Sequence, residues 1–167
     1  VIVHRHESLR TRFVAVDGIP GHYIDVPCEY PLEVVDLTSG SSADAEKYAN
    51  GIAEQFVERT IDLRVGPLCE AKLIRVSACE HVLVLAIDHM VTDAVSNQIL
   101  NREIWTLYSQ AVQGLPFSLP HLSVQFADYA AWQHQTHKAW QESHEAYWKT
   151  RLAGRSLSIG TRPTARK

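Results

Sequence analysis

The feature that most constrains the fold of this sequence is an apolar run followed directly by a polar segment and a helical pattern. Residues 82–87 read VLVLAI, a run of strand length that is far too short to cross a membrane. Because the run is apolar on both faces, we expect a central strand covered on two sides. Residues 88–94 (DHMVTDA) then lie between a buried strand and a helix. Such a junction often holds reactive side chains on a rigid support.

The rest of the chain mixes strand and helix patterns and predicts the α/β class. The Asp17-Gly18 turn signal between two short strand-like segments indicates a β-hairpin. Apolar residues at helical spacing after Asp93 predict a helix that stops at Gly114. We also expect the end of a helix at 1–9, strands at 10–16, 22–26, 32–37 and 68–76, and helices at 43–59 and 124–152.

Charge and cysteine content argue against several classes of protein. Lys and Arg number 16 against 19 Asp and Glu, a net charge of −3, which argues against a nucleic-acid binder or a polybasic membrane-surface protein. The three cysteines, Cys28, Cys69 and Cys79, form no CxxC pair, so we expect reduced thiols in a cytoplasmic protein. Residues 1–7 (VIVHRHE) lack the apolar core of a signal peptide.

A metal site is one possible use of the nine histidines. His134, His137 and His144 lie on one predicted helix, with a single HxxH spacing and polar residues between them. The sequence contains no HExxH motif, and no cysteine pairs with these residues. We therefore expect a solvated helix face and no metal.

His89 is the candidate reactive residue of the junction. An imidazole at the end of a strand can take a proton from an attacking nucleophile at neutral pH. Asp93, four residues further on, can cap the helix or bind a cation. A histidine without a role beside a purely capping aspartate is the alternative, and the residue types alone do not separate the two hypotheses.

Four segments in order match the sequence motifs of one known enzyme family. Residues 5–13 (RHESLRTRF) resemble the family motif RHExLRTxF, and residues 61–75 (IDLRVGPLCEAKLIR) resemble FDLxxGPLxRxxLxR. Residues 88–94 stand where the family has HHxxxDG. Residues 126–132 (FADYAAW) resemble YxDYAxW, and residues 147–154 match the YWxxxLxG that follows it. With these motifs the chain resembles the condensation domains of nonribosomal peptide synthetases, and the resemblance covers essentially the whole chain.

The resemblance implies a fold and a domain organisation. Family members have two lobes, each resembling chloramphenicol acetyltransferase, with the active site in a tunnel between them. We expect residues 1–154 to form an N-terminal lobe of mixed β-sheet packed with helices, incomplete at its N-terminus. Residues 155–167 would be an inter-lobe linker or tail, and the C-terminal lobe would be absent. The isolated chain is accordingly expected to be inactive.

The resemblance also implies a reaction and its partners. An acyl or peptidyl group on one carrier protein's phosphopantetheine thioester is transferred to the amine of an aminoacyl group on the next carrier. Donor and acceptor carrier proteins, neighbouring synthetase domains and the missing lobe are the implied partners. His89 matches the family's catalytic histidine, as general base or as positioner of the amine. Asp93 matches an aspartate that pairs with an arginine of the first motif, here Arg10 or, failing that, Arg5.

Two departures from the family pattern keep other hypotheses open. Asp88 replaces the first histidine of the motif and can accept a proton from His89 or a backbone N–H, while Ala94 replaces its glycine and adds a methyl near the expected path of the pantetheine arm. Asp88, Asp93 and Ser96 also fit the DxxxxDxxS pattern of heterocyclization domains. An ester-forming condensation domain, a coenzyme A-dependent acyltransferase and a non-catalytic carrier-docking module are further alternatives.

Overall fold

The computed structural model describes residues 1–40 and 42–155. The chain divides into two compact units, one from Val1 to Ala127 and one that begins at Asp128. Residues 156–167, nearly all of the predicted linker, lie outside the described residues. The helices are α1 (Ile2–Arg5), α2 (Ser42–Val57), α3 (Ala94–Val112) and α4 (Phe126–Leu152), with a 3-10 turn at Glu7–Arg10. The strands are β1 (Thr11–Val16), β2 (Ile19–Ile24), β3 (Glu33–Asp36), β4 (Cys69–Arg75) and β5 (His81–Ile87).

Strands β1 and β2 form the predicted hairpin. They pair antiparallel, with Val16 opposite Ile19 at the closed end. Asp17 and Gly18 both have positive φ, 52° and 78°, as a two-residue turn requires when its twist matches that of the strands. The hairpin prediction is confirmed, although β2 begins at Ile19 and not at residue 22.

Strands β3, β4 and β5 form a mixed sheet with β4 in the centre. β3 runs parallel to β4, and β5 runs antiparallel to it. The central position expected for residues 82–87 is therefore wrong, because β5 is an edge strand among the described strands. Helices lie on both faces of the sheet and cover Val84, Ala86 and Ile87, whereas Val82 and Leu83 are 38% and 43% exposed. Whether helices cover a strand does not depend on how many other strands pair with that strand.

Two apolar clusters fill the space between this sheet and its helices. On one face, Ala45, Ala49 and Phe56 of α2 pack against Ile74, Val76 and Val84. On the other face, Leu100 of α3 packs against Cys69 and Leu9. Successive strand residues point to opposite faces, so Ile74 and Cys69 of the same strand contribute to different clusters. The expected mixed sheet packed with helices is confirmed.

The second unit contains most of α4, a helix of 27 residues that confirms the prediction for 124–152 except at its first two positions. His134, His137 and His144 all lie on it. Within residues 1–40 and 42–155, no group of three or more His, Cys, Asp or Glu side chains is arranged to hold a metal ion. None of the described helices is both long and apolar enough to cross a membrane.

Candidate active site

The candidate site is the loop that joins β5 to α3, and its first residue is anchored to the core. The backbone N–H of Asp88 donates to the carbonyl oxygen of Leu68 at 2.9 Å. Leu68 is completely buried and immediately precedes β4. The segment that resembles FDLxxGPL therefore supports the loop that resembles HHxxxDG by a direct backbone hydrogen bond.

Residues 88–91 form a tight turn around His89. The N–H of Val91 donates to the backbone oxygen of Asp88 at 3.0 Å. The N–H of Met90 donates to the carboxylate Oδ1 of Asp88 at 2.8 Å. Of the two proton donors expected for Asp88, the structure shows the backbone N–H. His89 lies inside this turn with its side chain exposed to solvent.

Asp93 closes the other side of the loop as the N-cap of α3. Its Oδ1 accepts a hydrogen bond from the N–H of Ser96 at 2.7 Å, which satisfies one of the free donors at the start of the helix. That N–H, with smaller contributions from the Ser96 hydroxyl, the Val95 N–H and the charge of His89, holds the pKa of the Asp93 carboxyl below its usual value. The buried Thr92 adds a hydrogen bond to Asn97 at 2.7 Å.

The arginine pairing expected for Asp93 is wrong. Arg10 donates to the backbone oxygen of Asp25 and pairs with the carboxylate of Glu7 at 3.3 Å. Arg5 pairs with Glu103 instead. The physical reason is that the Asp93 carboxylate is directed at the exposed first turn of α3 and is bonded there. Arg5 is the last residue of α1, and Arg10 is the last residue of the 3-10 turn that follows it. The structure brings together Asp88, His89, Asp93, Ala94 and Ser96, and places Arg5 and Arg10 elsewhere.

A buried ionic cluster joins the first motif to α3, and the sequence reasoning missed it. Glu103 is 6% exposed. Its two carboxylate oxygens accept from Arg5 Nε at 3.1 and 3.2 Å, and one of them lies 2.6 Å from His6 Nε2. A signal was present, because Glu103 lies between the buried Leu100 and Leu107 on one face of α3. A carboxylate within an apolar stripe predicts a buried cationic partner.

Cavity size does not mark this site. A cavity of about 630 Å³ lies beside residues 25–33 and is lined by Leu9, Tyr30, Phe56 and Arg59 among others, with no residue from 88–96. Burial in this region raises the pKa of the Tyr30 hydroxyl well above its usual value. A smaller cleft of about 350 Å³ flanks the loop and is lined by Ile87 and Asn97.

Comparison with known proteins assigns the family. The family profile described as "Condensation domain" matches residues 1–166. The chain therefore belongs to the condensation-domain family, as the four motifs predicted. One of the linear gramicidin synthase proteins of Brevibacillus parabrevis is 35% identical over 158 residues, which cover 92% of this chain and 2% of that protein. Malpibaldin synthetase of Mortierella alpina is 39% identical over 162 residues, covering 93% of this chain and 3% of that protein.

A solved structure places the fold in the same family. The epimerization domain from the third module of tyrocidine synthetase B superposes with a TM-score of 0.79 at 26% identity, covering 94% of this chain. The chain spans 36% of that domain, and a few per cent of the curated relatives it matches. The expected condensation-type fold is thereby confirmed.

Proposed function

We propose that this chain contributes the histidine-bearing lobe of a condensation domain that forms amide bonds between carrier-bound groups. The amine nitrogen of the acceptor attacks the carbonyl carbon of the donor thioester, and a C–N bond forms. The C–S bond then breaks, the amine loses a proton, and the departing thiolate takes one up. Because a thioester is already activated, most of the rate enhancement comes from holding the two groups in register.

The observation that carries the proposal is the exposed His89 held inside a hydrogen-bonded turn. A neutral imidazole can accept the proton that the amine loses, and it can equally orient the amine through the same nitrogen. The loop is anchored at Asp88 to the buried Leu68 and at Asp93 to the first turn of α3. Chemistry that depends on orientation needs a side chain on such a fixed support.

The geometry favours amide formation over heterocyclization. A cyclization domain of the DxxxxDxxS type uses two aspartates in place of the histidine. Here Oδ1 of Asp88 accepts from Met90, and Oδ1 of Asp93 accepts from Ser96. Both carboxylates thus accept hydrogen bonds from backbone N–H groups, while the imidazole of His89 is exposed beside them. Ala94, the first residue of α3, is also exposed, so its methyl leaves the loop conformation intact.

The proposal includes a second lobe and two carrier proteins. We propose that residues 1–154 act as one lobe, that residues 155–167 lead to the other, and that the isolated chain does not turn over. The phosphopantetheine arms belong to the donor and acceptor carriers. Neighbouring synthetase domains would supply the carriers, and no nucleic acid or membrane takes part. A cytoplasmic location fits the three cysteines, all of which are unpaired.

The test replaces His89 by alanine in the synthetase that carries this chain. Donor and acceptor carriers are loaded separately, and transfer is followed by intact-protein mass spectrometry. We expect the His89→Ala variant to lose about 100-fold or more of the transfer rate. The matched control is His81→Ala, because His81 is an exposed histidine at the opposite end of β5 and should be replaceable without loss.

Each outcome of this test decides between the hypotheses. Mass gain on the acceptor in the wild type, lost in His89→Ala and kept in His81→Ala, supports condensation. A further loss of one water from the product would indicate cyclization, and transfer only to a hydroxyl acceptor would indicate an ester-forming domain. If neither variant nor the wild type transfers the group while both carriers bind, the docking module is the better hypothesis.

A further inference from the structure

The carboxylate of Asp88 stands next to the catalytic candidate, at a position where the family motif has a different residue type. Asp88 is half-buried at the end of β5, and His89 directly follows it. Three hydrogen bonds meet at Asp88. Its N–H donates to Leu68, its backbone oxygen accepts from Val91, and its Oδ1 accepts from Met90. The two residues that follow His89 are therefore bonded to the aspartate that precedes it, and that aspartate is bonded to the core.

The side-chain bond fixes a degree of freedom that the two backbone bonds leave open. The Leu68 bond fixes the entry to the loop, and the Val91 bond fixes the overall reversal of the chain. Neither holds the peptide unit that joins His89 to Met90. The 2.8 Å bond from the Met90 N–H to Oδ1 of Asp88 holds that peptide, and so sets the direction in which the His89 side chain leaves the backbone.

We propose that Asp88 is a positioning residue for His89, that its carboxylate acts as a hydrogen-bond acceptor, and that it takes no proton during the reaction. This inference rests on the proposed condensation function. It assigns to Asp88 a role in the loop that depends on its oxygen and not on its charge. Any side chain of the same length with an acceptor oxygen should then serve, and asparagine is the closest such side chain.

The effect of losing the bond should fall on the rate and not on stability. Met90 is 53% exposed, so its N–H can bond to water when the carboxylate is removed. Folding therefore loses little. Transfer, in contrast, depends on the placement of the imidazole, and a shift of about 1 Å can cost about 100-fold in rate.

The test compares Asp88→Ala and Asp88→Asn in the synthetase that carries this chain. We expect Asp88→Ala to lower kcat about 100-fold with KM for the loaded acceptor carrier unchanged. We expect Asp88→Asn to restore most of that loss and to keep the wild-type shape of the rate against pH. The matched control is Asp36→Ala, because the Asp36 carboxylate holds the Thr38 N–H at 2.9 Å in the same way, at the end of β3. This variant should transfer at the wild-type rate.

Three results would overturn the inference. Asp88→Asn as slow as Asp88→Ala, or with the acid limb of its pH profile shifted, would show that the carboxylate handles a proton. Asp88→Ala as fast as the wild type would show that the bond is dispensable. If the thermal midpoint of Asp88→Ala falls so far that unfolding accounts for its loss of rate, the role of Asp88 is structural only. Failure of the proposed function is read separately, because the wild type would then transfer nothing, or His89→Ala would be as active as the wild type.

Discussion

The start and the middle of helix α3 are held by different interactions. At its start, Asp93 caps the exposed first turn and bonds to Ser96, three residues away. Further along, the buried Glu103 bonds to Arg5 and His6, which lie 98 and 97 positions away in the sequence. The start of the helix carries the candidate chemistry, and its middle is joined to the first motif.

The difference shows where stability and reactivity reside in this chain. Breaking a buried ion pair leaves an uncompensated charge away from water, which is expensive. Breaking an exposed cap or turn lets water replace the lost partner. Substitutions near Glu103 should therefore change the free energy of unfolding, and substitutions in the His89 loop should mainly change the rate.

The largest effect is expected at Glu103. Replacing Glu103 by alanine leaves Arg5, 15% exposed at its side chain, without its carboxylate partner. We expect a loss of about 3 kcal/mol or more in the free energy of unfolding, measured by urea denaturation. The control is Glu145→Ala, which removes an exposed carboxylate paired with Lys149 and should change the midpoint little. Equal losses in the two variants would contradict the contrast between buried and exposed ion pairs.

A smaller effect is expected at Asp93, where the direction of the pKa shift gives the sign of the pH dependence of stability. Because the pKa of this carboxyl is lower in the folded chain, its contribution to stability is present above the ordinary carboxyl pKa. It is lost as the pH falls through the lowered value. We expect Asp93→Asn to keep the cap, since asparagine is an equally good N-cap, and to reduce the fall in stability as the pH drops below the ordinary carboxyl pKa.

Asp93→Ala supplies the matching comparison. It removes both the charge and the cap, so its thermal midpoint at neutral pH should lie below that of Asp93→Asn. Its transfer rate should fall as well, because the loop loses its anchor on α3. If the two variants unfold at the same temperature at neutral pH, the bond from Ser96 to Asp93 does not hold the start of the helix.

Local patterns in the sequence were sufficient to predict the loop. They were not sufficient to predict the pairing of segments that lie far apart in the chain. The strand that ends before Asp88, the helix that follows and the cap at Asp93 depend on neighbours a few residues apart, so periodicity and cap chemistry predict them. His89 was placed by the same signals. The edge position of β5 and the pairing of Arg5 with Glu103 depend on contacts between distant segments, which neither pattern encodes.

The error over Asp93 has the same origin. A half-buried arginine needs a partner, and the motif alone suggested Asp93 as that partner. For Arg5, the choice between the Asp93 cap and Glu103 depends on which turn of α3 faces the first motif, while Arg10 pairs with Glu7 of its own motif. That facing is decided by the apolar cluster of Leu9, Cys69 and Leu100, whose members come from three separate segments.

The smallest effect is expected from chemical labelling of the native cysteines, which needs no substitution and tests the core beneath the loop. Cys69 opposes Ile87, which precedes Asp88, and burial raises the pKa of its thiol to about 11. Cys28 and Cys79 are exposed and serve as internal controls. At about pH 8 the reactive thiolate of Cys69 is about one part in a thousand, so iodoacetamide should label the other two cysteines first. The labelling rates are measured by peptide mass spectrometry. If all three cysteines are labelled at one rate in the folded protein, the core beneath the loop is as accessible to the reagent as the surface.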